Sequence, residues 1–468
     1  MKKKNLFRKL AFASADLFGG GSFNIINFLY PGFLALVVGI PAFWCGFIIL
    51  AARIFDAIID PIIGWLSDRT ESKFGKRRIY LIVCSPLIVV AMFLLFYPFN
   101  FPSIALRIIS ALLAYLVFVA VQSTIMIPYF SLSSEISKDY QNRASFNSYR
   151  LGFSIFSSII CVAVPGIIVA AFGDQRLGYQ VMSLSFGVFF GISILLSGLF
   201  AKEEIKSPVI KTKLSFKALF EPLKLKPFRQ YLGMFLLMQI AMSVMSGLFF
   251  FYIDFYIIKD VTASGGDSMV GLISAALMFF TQIVALPFYL KMIQRYSKAF
   301  TYRFGAFIWI LSAIALFFVP ANVSPWVIYL LAVVMGFGIS APGLIPHTMF
   351  GDVADAGQLQ FKKRLEGQMS GFSNFVSQIA QALGLSFAMV ILGWAGFKEQ
   401  DIASTIIVSS QPETALLAIR LVMSLTPLIM LGLGSLISIR YHIDAKEQQK
   451  IKDLIAIENP EPAIVETR

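Results

Sequence analysis

Long apolar stretches follow one another along almost the whole sequence, separated by short polar segments. About a dozen of them are roughly 18–28 residues long, enough for a helix to cross a bilayer core of about 30 Å. Because backbone groups in lipid must be satisfied within their own segment, each stretch is predicted to be a helix. The pattern therefore predicts an all-α integral membrane protein with twelve transmembrane helices, at 10–37, 41–66, 79–99, 103–129, 147–172, 178–200, 230–258, 268–290, 301–320, 325–350, 369–395 and 413–439.

Composition supports a membrane protein over a soluble one. Hydrophobic residues make up 57% of the chain and charged residues 14%, well below the roughly 25% charged of a soluble domain. A water-soluble fold has no interior large enough to bury so much apolar surface, so this class is excluded.

The basic residues are distributed asymmetrically between the polar segments. Of the 39 lysines and arginines, 32 lie in the termini, in the segments of one side or at the adjoining edge of a span, whereas the other side holds Arg176, Lys259 and Lys398. The positive-inside rule then predicts a cytoplasmic-membrane protein with both termini in the cytoplasm. The net charge of +13 thus reflects topology, with membrane lipid headgroups and not nucleic acid as the expected partner.

One long polar interruption divides the spans six and six. It covers 202–229 and carries eight basic residues and three prolines. Two repeat-related bundles joined by such a segment are typical of transporters. The predicted organisation is a bundle at 1–201, the central loop, a second bundle at 230–440, and a cytoplasmic tail at 441–468, expected to be a helical turn followed by disorder. A monomer is expected.

The second span carries three ionisable residues on one face. Arg53, Asp56 and Asp60 are spaced by three and four, which stacks them along a helix. Two carboxylates one turn apart repel each other unless a proton or a metal cation neutralises them. The cluster therefore indicates a coupling-ion site with Asp56 and Asp60 as ligands. The alternative is a structural ion pair between Arg53 and one aspartate, with the other facing the exit.

Single charges in the first and fifth spans are candidates for a solute site, because ionisable groups within a membrane are costly. Asp16 and Arg150 either converge on a cavity, where both bind sugar hydroxyls well, or pair with each other or with Arg53. Asn27 either hydrogen-bonds to a polyol or packs helices together. Both alternatives stay open at this point.

The remaining intramembrane polar residues are assigned structural roles. Arg107, Asp254 and Arg420 lie near span ends, where snorkelling is the expected explanation. His347 is expected to pack helices. The chain has one other histidine, His442, far away in the sequence. With two separate histidines and no phosphate-binding glycine loop, the sequence does not indicate an enzyme, or a cofactor beyond a coupling ion.

Three blocks of the sequence resemble the glycoside-pentoside-hexuronide cation symporters of the major facilitator superfamily. The first runs through the second span and its loop, the second through the end of the fourth span and the start of the fifth, and the third follows the tenth span. Their residues include Arg53, Asp56, Asp60, Asp68, Arg69, Arg77 and Arg78, then Ile127, Pro128, Tyr129, Glu135 and Arg150, then Asp352, Asp355, Lys363, Arg364, Leu365 and Glu366.

The resemblance implies a role for many of these residues. In the family the aspartates of helix two contribute to the cation site, which implies that role for Asp56 and Asp60. The first-helix aspartate and fifth-helix arginine recognise sugar, which implies that role for Asp16 and Arg150. Conformational gating falls to the loop after helix two, here with Asp68, Arg69, Arg77 and Arg78, and Arg53 of helix two is assigned to gating with them.

The chain departs from the family at two positions. Met126 stands where the family commonly has Asp or Asn, which leaves Ser123 or Thr124 as the nearest oxygen donor for a cation. Gln378 stands where the family commonly has lysine, and is assigned to the solute site. Either change is compatible with sodium coupling, proton coupling or no coupling.

The sequence thus predicts a secondary active transporter that works by alternating access. The favoured function is symport of a sugar or glycoside with Na⁺ or H⁺. The alternatives are a carrier of a lipid-like or other organic solute, an uncoupled sugar facilitator, and a sensor that binds solute without accumulating it.

Overall fold

The computed structural model describes residues 2–137, 139–203, 220–258, 269–362, 366–399 and 410–458. Within these residues every regular element is a helix, and twelve helices are long and apolar enough to cross a membrane. This confirms the predicted fold class and number of spans. The part of the central loop at 204–219 and the end of the tail at 459–468 lie outside the described residues.

The first and seventh spans each end in a π-helical turn. The first, α1, comprises Lys2–Ser14, Asp16–Gly32 and the π-helical turn Phe33–Val37, and α7 comprises Lys226–Phe251 and the π-helical turn Tyr252–Ile258. The other spans are α2 Ala42–Arg69, α3 Arg78–Leu95, α4 Ile104–Glu135, α5 Tyr140–Ala170, α6 Gln175–Phe200, α8 Met269–Arg295, α9 Lys298–Phe318, α10 Pro325–Phe361, α11 Glu366–Trp394 and α12 Glu413–Ile439.

Glycines allow close helix packing within each half, as expected where lipid supplies no hydrophobic force between helices. A Cβ on Gly191 of α6 would come within 2.8 Å of the Ser85 carbonyl oxygen of α3. In the second half, a Cβ on Gly305 of α9 would come within 2.9 Å of the Gly338 carbonyl oxygen of α10. Each half is therefore a tightly packed six-helix bundle.

The two halves touch mainly near the side that is poor in basic residues, called here the opposite side. The ring of Phe28 in α1 lies 5.8–6.2 Å from the rings of Phe249, Phe250 and Phe279 in α7 and α8. In α11, the Ser386 hydroxyl donates to the Gly46 carbonyl of α2 at 2.7 Å. Among the described residues, no hydrogen bond, ion pair or ring contact joins the two bundles closer to the basic side than Asp60 and Gln378. The structure is thus closed at the opposite side.

Arg107 does not snorkel, contrary to the sequence-based expectation. Its side chain is buried, and Nη1 donates to the carbonyls of Val38 and Gly39, each at 2.9 Å. These carbonyls follow the π-helical end of α1, where helix geometry leaves acceptors without partners. Arg107 therefore caps α1 from α4.

Replacement of Arg107 by Met is expected to destabilise the protein by about 2–3 kcal/mol, since it removes charge-assisted hydrogen bonds and leaves two buried carbonyls unpaired. Thermal unfolding in detergent measures this, with Lys291→Met, an exposed basic residue, as the control. A melting temperature equal to the control's would show that Arg107 does not hold the end of α1.

The tail contains more regular structure than the predicted helical turn. A thirteenth helix, α13, spans Ala445–Glu458 and packs against α10. Asp444 caps its first turn by accepting from the Glu447 backbone N–H at 2.8 Å, and Ile451 is buried. An N-cap and one buried apolar residue are enough to hold this amphipathic segment against the bundle.

Candidate cation and solute sites

The two carboxylates of α2 lie in the middle part of a helix that is long and apolar enough to span a membrane. Asp56 is about 20 Å from either end of its helix at 1.5 Å rise per residue, and Asp60 follows one turn later. Asp56 is buried, and its Oδ1 accepts from the Ser123 hydroxyl of α4 at 2.8 Å. The predicted convergence of Ser123 on the α2 aspartates is therefore present in the structure.

Arg53 partly compensates the charge of Asp56. Its Nη1 lies 3.6 Å from Asp56 Oδ2, and its guanidinium carbon lies 5.1 Å from the centre of the Phe23 ring of α1. A guanidinium between a carboxylate and an aromatic face is stabilised by both. One positive charge beside two carboxylates leaves the cluster with a formal charge of −1. Arg53, which the sequence assigned to gating, contacts Asp56 and Phe23 in this structure, and its gating role stays a prediction.

Gln378 connects the carboxylate pair to the second half. Its Nε2 donates to Asp60 Oδ2 at 3.2 Å, while its Oε1 is buried without a hydrogen-bond partner. A buried acceptor beside two acids is unfavourable unless a cation or a donor joins it. Gln378 was assigned to the solute site from the sequence, and the structure places it at the carboxylates.

The other two α4 positions are oriented differently. The Thr124 hydroxyl donates to the Ala120 carbonyl of its own helix at 2.6 Å. The sulfur of Met126 lies 3.4 Å from where a Cβ on Gly19 of α1 would be. Of the two oxygen donors named from the sequence, Ser123 and not Thr124 reaches the aspartates.

Asp16 and Arg150 form an ion pair with each other. Arg150 Nε lies 3.0 Å from Asp16 Oδ2, and the Tyr129 hydroxyl lies 3.2 Å from the same oxygen. The Asp16 side chain is 7% exposed and that of Arg150 is 27% exposed. The guanidinium carbon is also 5.3 Å from the centre of the exposed Phe130 ring. The pair thus presents an accessible guanidinium beside an aromatic face, an arrangement suited to a hydroxyl-bearing solute.

Packing of small residues between α1 and α5 fixes the position of this pair. Gly20 approaches Ser154 so closely that a Cβ would lie 2.7 Å from the Ser154 carbonyl oxygen, and the Ser158 hydroxyl donates to the Gly20 carbonyl at 3.1 Å. Asp16 and Arg150 each lie one turn before these contacts. The close approach of the two helices therefore determines which partner Asp16 meets.

Asn27 lies on the Asp16 face of α1. Positions 16, 23 and 27 fall on one stripe at 3.6 residues per turn, and Asn27 is buried. Phe23, on the same stripe, contacts Arg53. The stripe therefore joins the ion cluster to the Asp16 and Arg150 pair, and Asn27 stays a candidate solute ligand.

The predicted gating loop holds the first half together in this conformation. Arg77 bonds to Asp68, donates to the Ser67 hydroxyl at 2.6 Å, and lies 3.6 Å from Glu135. The Glu203 carboxylate accepts from the backbone N–H of Arg77 at 2.9 Å. Arg77 therefore ties the basic-side ends of α2, α3 and α4 to each other.

Arg78 and Arg69 have separate roles in the same loop. Arg78 donates to the carbonyls of Gly198 and Leu199 at the end of α6. Arg69 stacks on the Trp65 ring at 4.1 Å. Gating by this loop stays a prediction, and Lys363, Arg364 and Leu365 of the corresponding second-half block lie outside the described residues.

Sequence reasoning assigned no role to several residues of these sites. Tyr129, Phe23, Glu135 and Glu203 all contact predicted site residues. Tyr129 and Glu135 belong to the block that carries the family resemblance, a signal that was available. Phe23 and Glu203 carry no sequence signal that distinguishes them from neighbours.

The fold and its central polar sites define a secondary transporter of the major facilitator class. The family described as MFS/sugar transport protein matches residues 11–445, and the chain belongs to it. Curated relatives include an uncharacterized symporter of Synechocystis sp., 27% identical over 96% of this chain and 97% of that protein. The sodium-dependent lysophosphatidylcholine symporter 1 of Xenopus tropicalis is 23% identical over 97% of this chain and 90% of that protein.

Solved structures with the same fold are transporters. The nucleoside transporter NupG aligns with a TM-score of 0.63 at 12% identity, covering 93% of this chain and 99% of that chain. A bacterial homologue of the human lysosomal transporter Spinster aligns with a TM-score of 0.63 at 15% identity, over 94% and 95% of the two chains. At these identities the likeness shows the fold. The fold, the family match and the symporter relatives together identify this chain as a multi-pass secondary transporter.

Proposed function

We propose that the chain couples the movement of Na⁺ or H⁺ to the uptake of a sugar or glycoside. The observation that carries the proposal is the carboxylate pair Asp56 and Asp60, held at mid-membrane with one neighbouring guanidinium. Its unbalanced negative charge is costly in a low dielectric and favours a neutralising ion.

The donor atoms at the pair suit sodium. Hard cations prefer oxygen ligands, and the cluster contains two carboxylates, the Ser123 hydroxyl and the unpartnered Gln378 Oε1. These residues would hold the ion, which supplies the positive charge that cancels the repulsion between the aspartates.

The position of the pair supports a mechanism in which an ion acts on both halves. Asp60 belongs to the first bundle and Gln378 to the second, so neutralising Asp60 changes a contact between them. We place the basic side in the cytoplasm, both termini with it, and treat the chain as a monomer in the cytoplasmic membrane. The structure then corresponds to the state closed towards the outside, and rocking of the bundles exposes the sites alternately.

A lipid-like solute is the second candidate. It is favoured by the sodium-dependent lysophosphatidylcholine symporters, which align over more than nine-tenths of this chain. In such a solute the polar head would occupy the position that we assign to sugar hydroxyls.

Uptake by purified protein in liposomes tests both candidates. Labelled galactosides, pentosides, hexuronides and lysophosphatidylcholine are offered under a Na⁺ gradient and, separately, under a pH gradient. We expect accumulation of a sugar under one gradient, abolished by an ionophore for that ion. Accumulation of the lysolipid but of no sugar would show that the solute is lipid-like. Equilibration of a solute without accumulation would refute coupling to an ion.

A further inference from the structure

Helices α4 and α10 occupy equivalent positions in the two halves and share a short sequence. Ile127-Pro128 in α4 corresponds to Ile345-Pro346 in α10. Fold repeats of this kind place corresponding residues in corresponding surroundings. The residue after the proline is Tyr129 in the first half and His347 in the second.

The contacts on either side support this alignment. The Tyr129 ring lies 5.1 Å from the Phe12 ring of α1, and the His347 ring lies 5.7 Å from the Phe235 ring of α7. Further along, Glu135 pairs with Arg77 before α3, and Asp352 pairs with Lys298 at the start of α9. His347 therefore occupies the counterpart of a residue that contacts the solute site.

The two residues differ in their surroundings. Tyr129 is buried and its hydroxyl lies 3.0 Å from the Phe12 carbonyl oxygen and 3.2 Å from Asp16. His347 is exposed, and no residue in the described part of the chain forms a hydrogen bond with its ring. The helix-packing role expected from the sequence is represented by the contact of its ring with the Phe235 ring.

The space in front of His347 is open along two helical turns. Gly343 and Gly351, one turn on either side, have no atom within 4 Å of where a Cβ would lie. Two glycines flanking an imidazole therefore leave a shallow recess on this face of α10.

The recess faces the interior of the protein and not the lipid. An unpaired polar ring in hydrocarbon is costly. The side of α10 that suits lipid carries the exposed apolar side chain of Val334, which lies about 140° around the helix from His347 at 3.6 residues per turn. Phe235 belongs to α7, which contacts α1 of the other half. The imidazole thus lies on the inner wall of the second half, on the side where the bundles are apart.

We propose that His347 binds the polar head of the transported solute from the second half, across the cavity from Arg150. The ligand is an oxygen-rich group, either sugar hydroxyls or a phosphodiester, which accepts or donates a hydrogen bond with the imidazole while Gly343 and Gly351 admit its bulk. This assignment rests on the proposed transport function but not on coupling to an ion.

Labelling of a cysteine at this position tests where the side chain points. The three native cysteines are buried, so the parent protein gives the background. His347→Cys is expected to react with a water-soluble cationic methanethiosulfonate from the basic side roughly tenfold faster than Phe307→Cys, because such a reagent is excluded from lipid. Phe307 is a 58% exposed residue of α9. Equal, slow labelling of both in folded protein would overturn the proposal.

Solute protection and kinetics test the ligand. Methyl galactoside, glucuronate and palmitoyl lysophosphatidylcholine are each added during labelling, and slowing by a sugar or by the lysolipid distinguishes hydroxyls from a phosphodiester. His347→Ala is expected to raise KM for the protecting solute roughly tenfold, the effect of one lost hydrogen bond, and to leave the maximal rate unchanged. His347→Gln, which can still form a hydrogen bond, is expected to restore part of the lost affinity. No protection by any of the three, or an unchanged KM, would overturn the proposal, whereas protection without ion-driven accumulation would refute coupling alone.

Discussion

The variant Asp60→Asn is expected to lose ion-driven accumulation of solute entirely while still exchanging solute across the membrane. An amide cannot supply the negative charge that attracts the cation, yet it has nearly the shape of the carboxylate and still hydrogen-bonds with Gln378. With a tenfold ion gradient, worth about 1.4 kcal/mol per ion, the solute ratio across the membrane should fall from about tenfold to about one.

Two assays on the same vesicles separate coupling from transport. Uphill uptake under the ion gradient measures coupling, and counterflow with solute on both sides measures exchange. Glu71→Gln, which neutralises an exposed carboxylate just beyond the end of α2, is the matched control and should keep both. Undiminished uphill uptake by Asp60→Asn would remove Asp60 from the ion site.

Arg150→Ala is expected to weaken solute binding roughly a hundredfold without loss of the fold. The guanidinium is the accessible member of its pair with Asp16, and hydrogen bonds from a charged group contribute about 1.5–3 kcal/mol each. Binding is measured by isothermal titration with purified protein, with Arg176→Ala on the opposite side as control.

Truncation of Arg150 also leaves Asp16 buried without its partner, which is itself costly. The double variant Asp16→Asn, Arg150→Ala removes that cost and separates it from loss of a solute contact. If binding recovers in the double variant, or is retained in the single one, Arg150 does not bind solute.

Periodicity and charge spacing were sufficient to predict the twelve helices and the stacking of Asp56 and Asp60, because both depend on local geometry. The choice between the two alternatives for Asp16 was not predictable. It depends on how closely α1 approaches α5 at Gly20, and so on side chains from distant parts of the chain.

The contacts of other residues depend on distant helices in the same way. Arg107 lies near a span end like any snorkelling residue, and only the π-helical end of α1 provides the carbonyls that bind it. His347 was assigned to packing because a histidine in a span has no local signal that distinguishes packing from facing a cavity, and a role in solute binding is a proposal. Gln378 is placed beside Asp60 by the contact between α2 and α11. Residues whose role depends on a second helix are thus the ones that sequence reasoning misplaces.

The hydrogen bond between Asp60 and Gln378 has a consequence for energetic efficiency. It joins the two bundles, and a charge-assisted hydrogen bond of this kind is worth about 1.5–3 kcal/mol, which favours the arrangement seen here roughly ten- to a hundredfold. A neutral amide holds an anion less firmly than an ammonium group would. A protein without a bound ion should therefore reorient less slowly than one held by an ammonium group, and solute carried back in that state would lower the gradient that the protein can maintain.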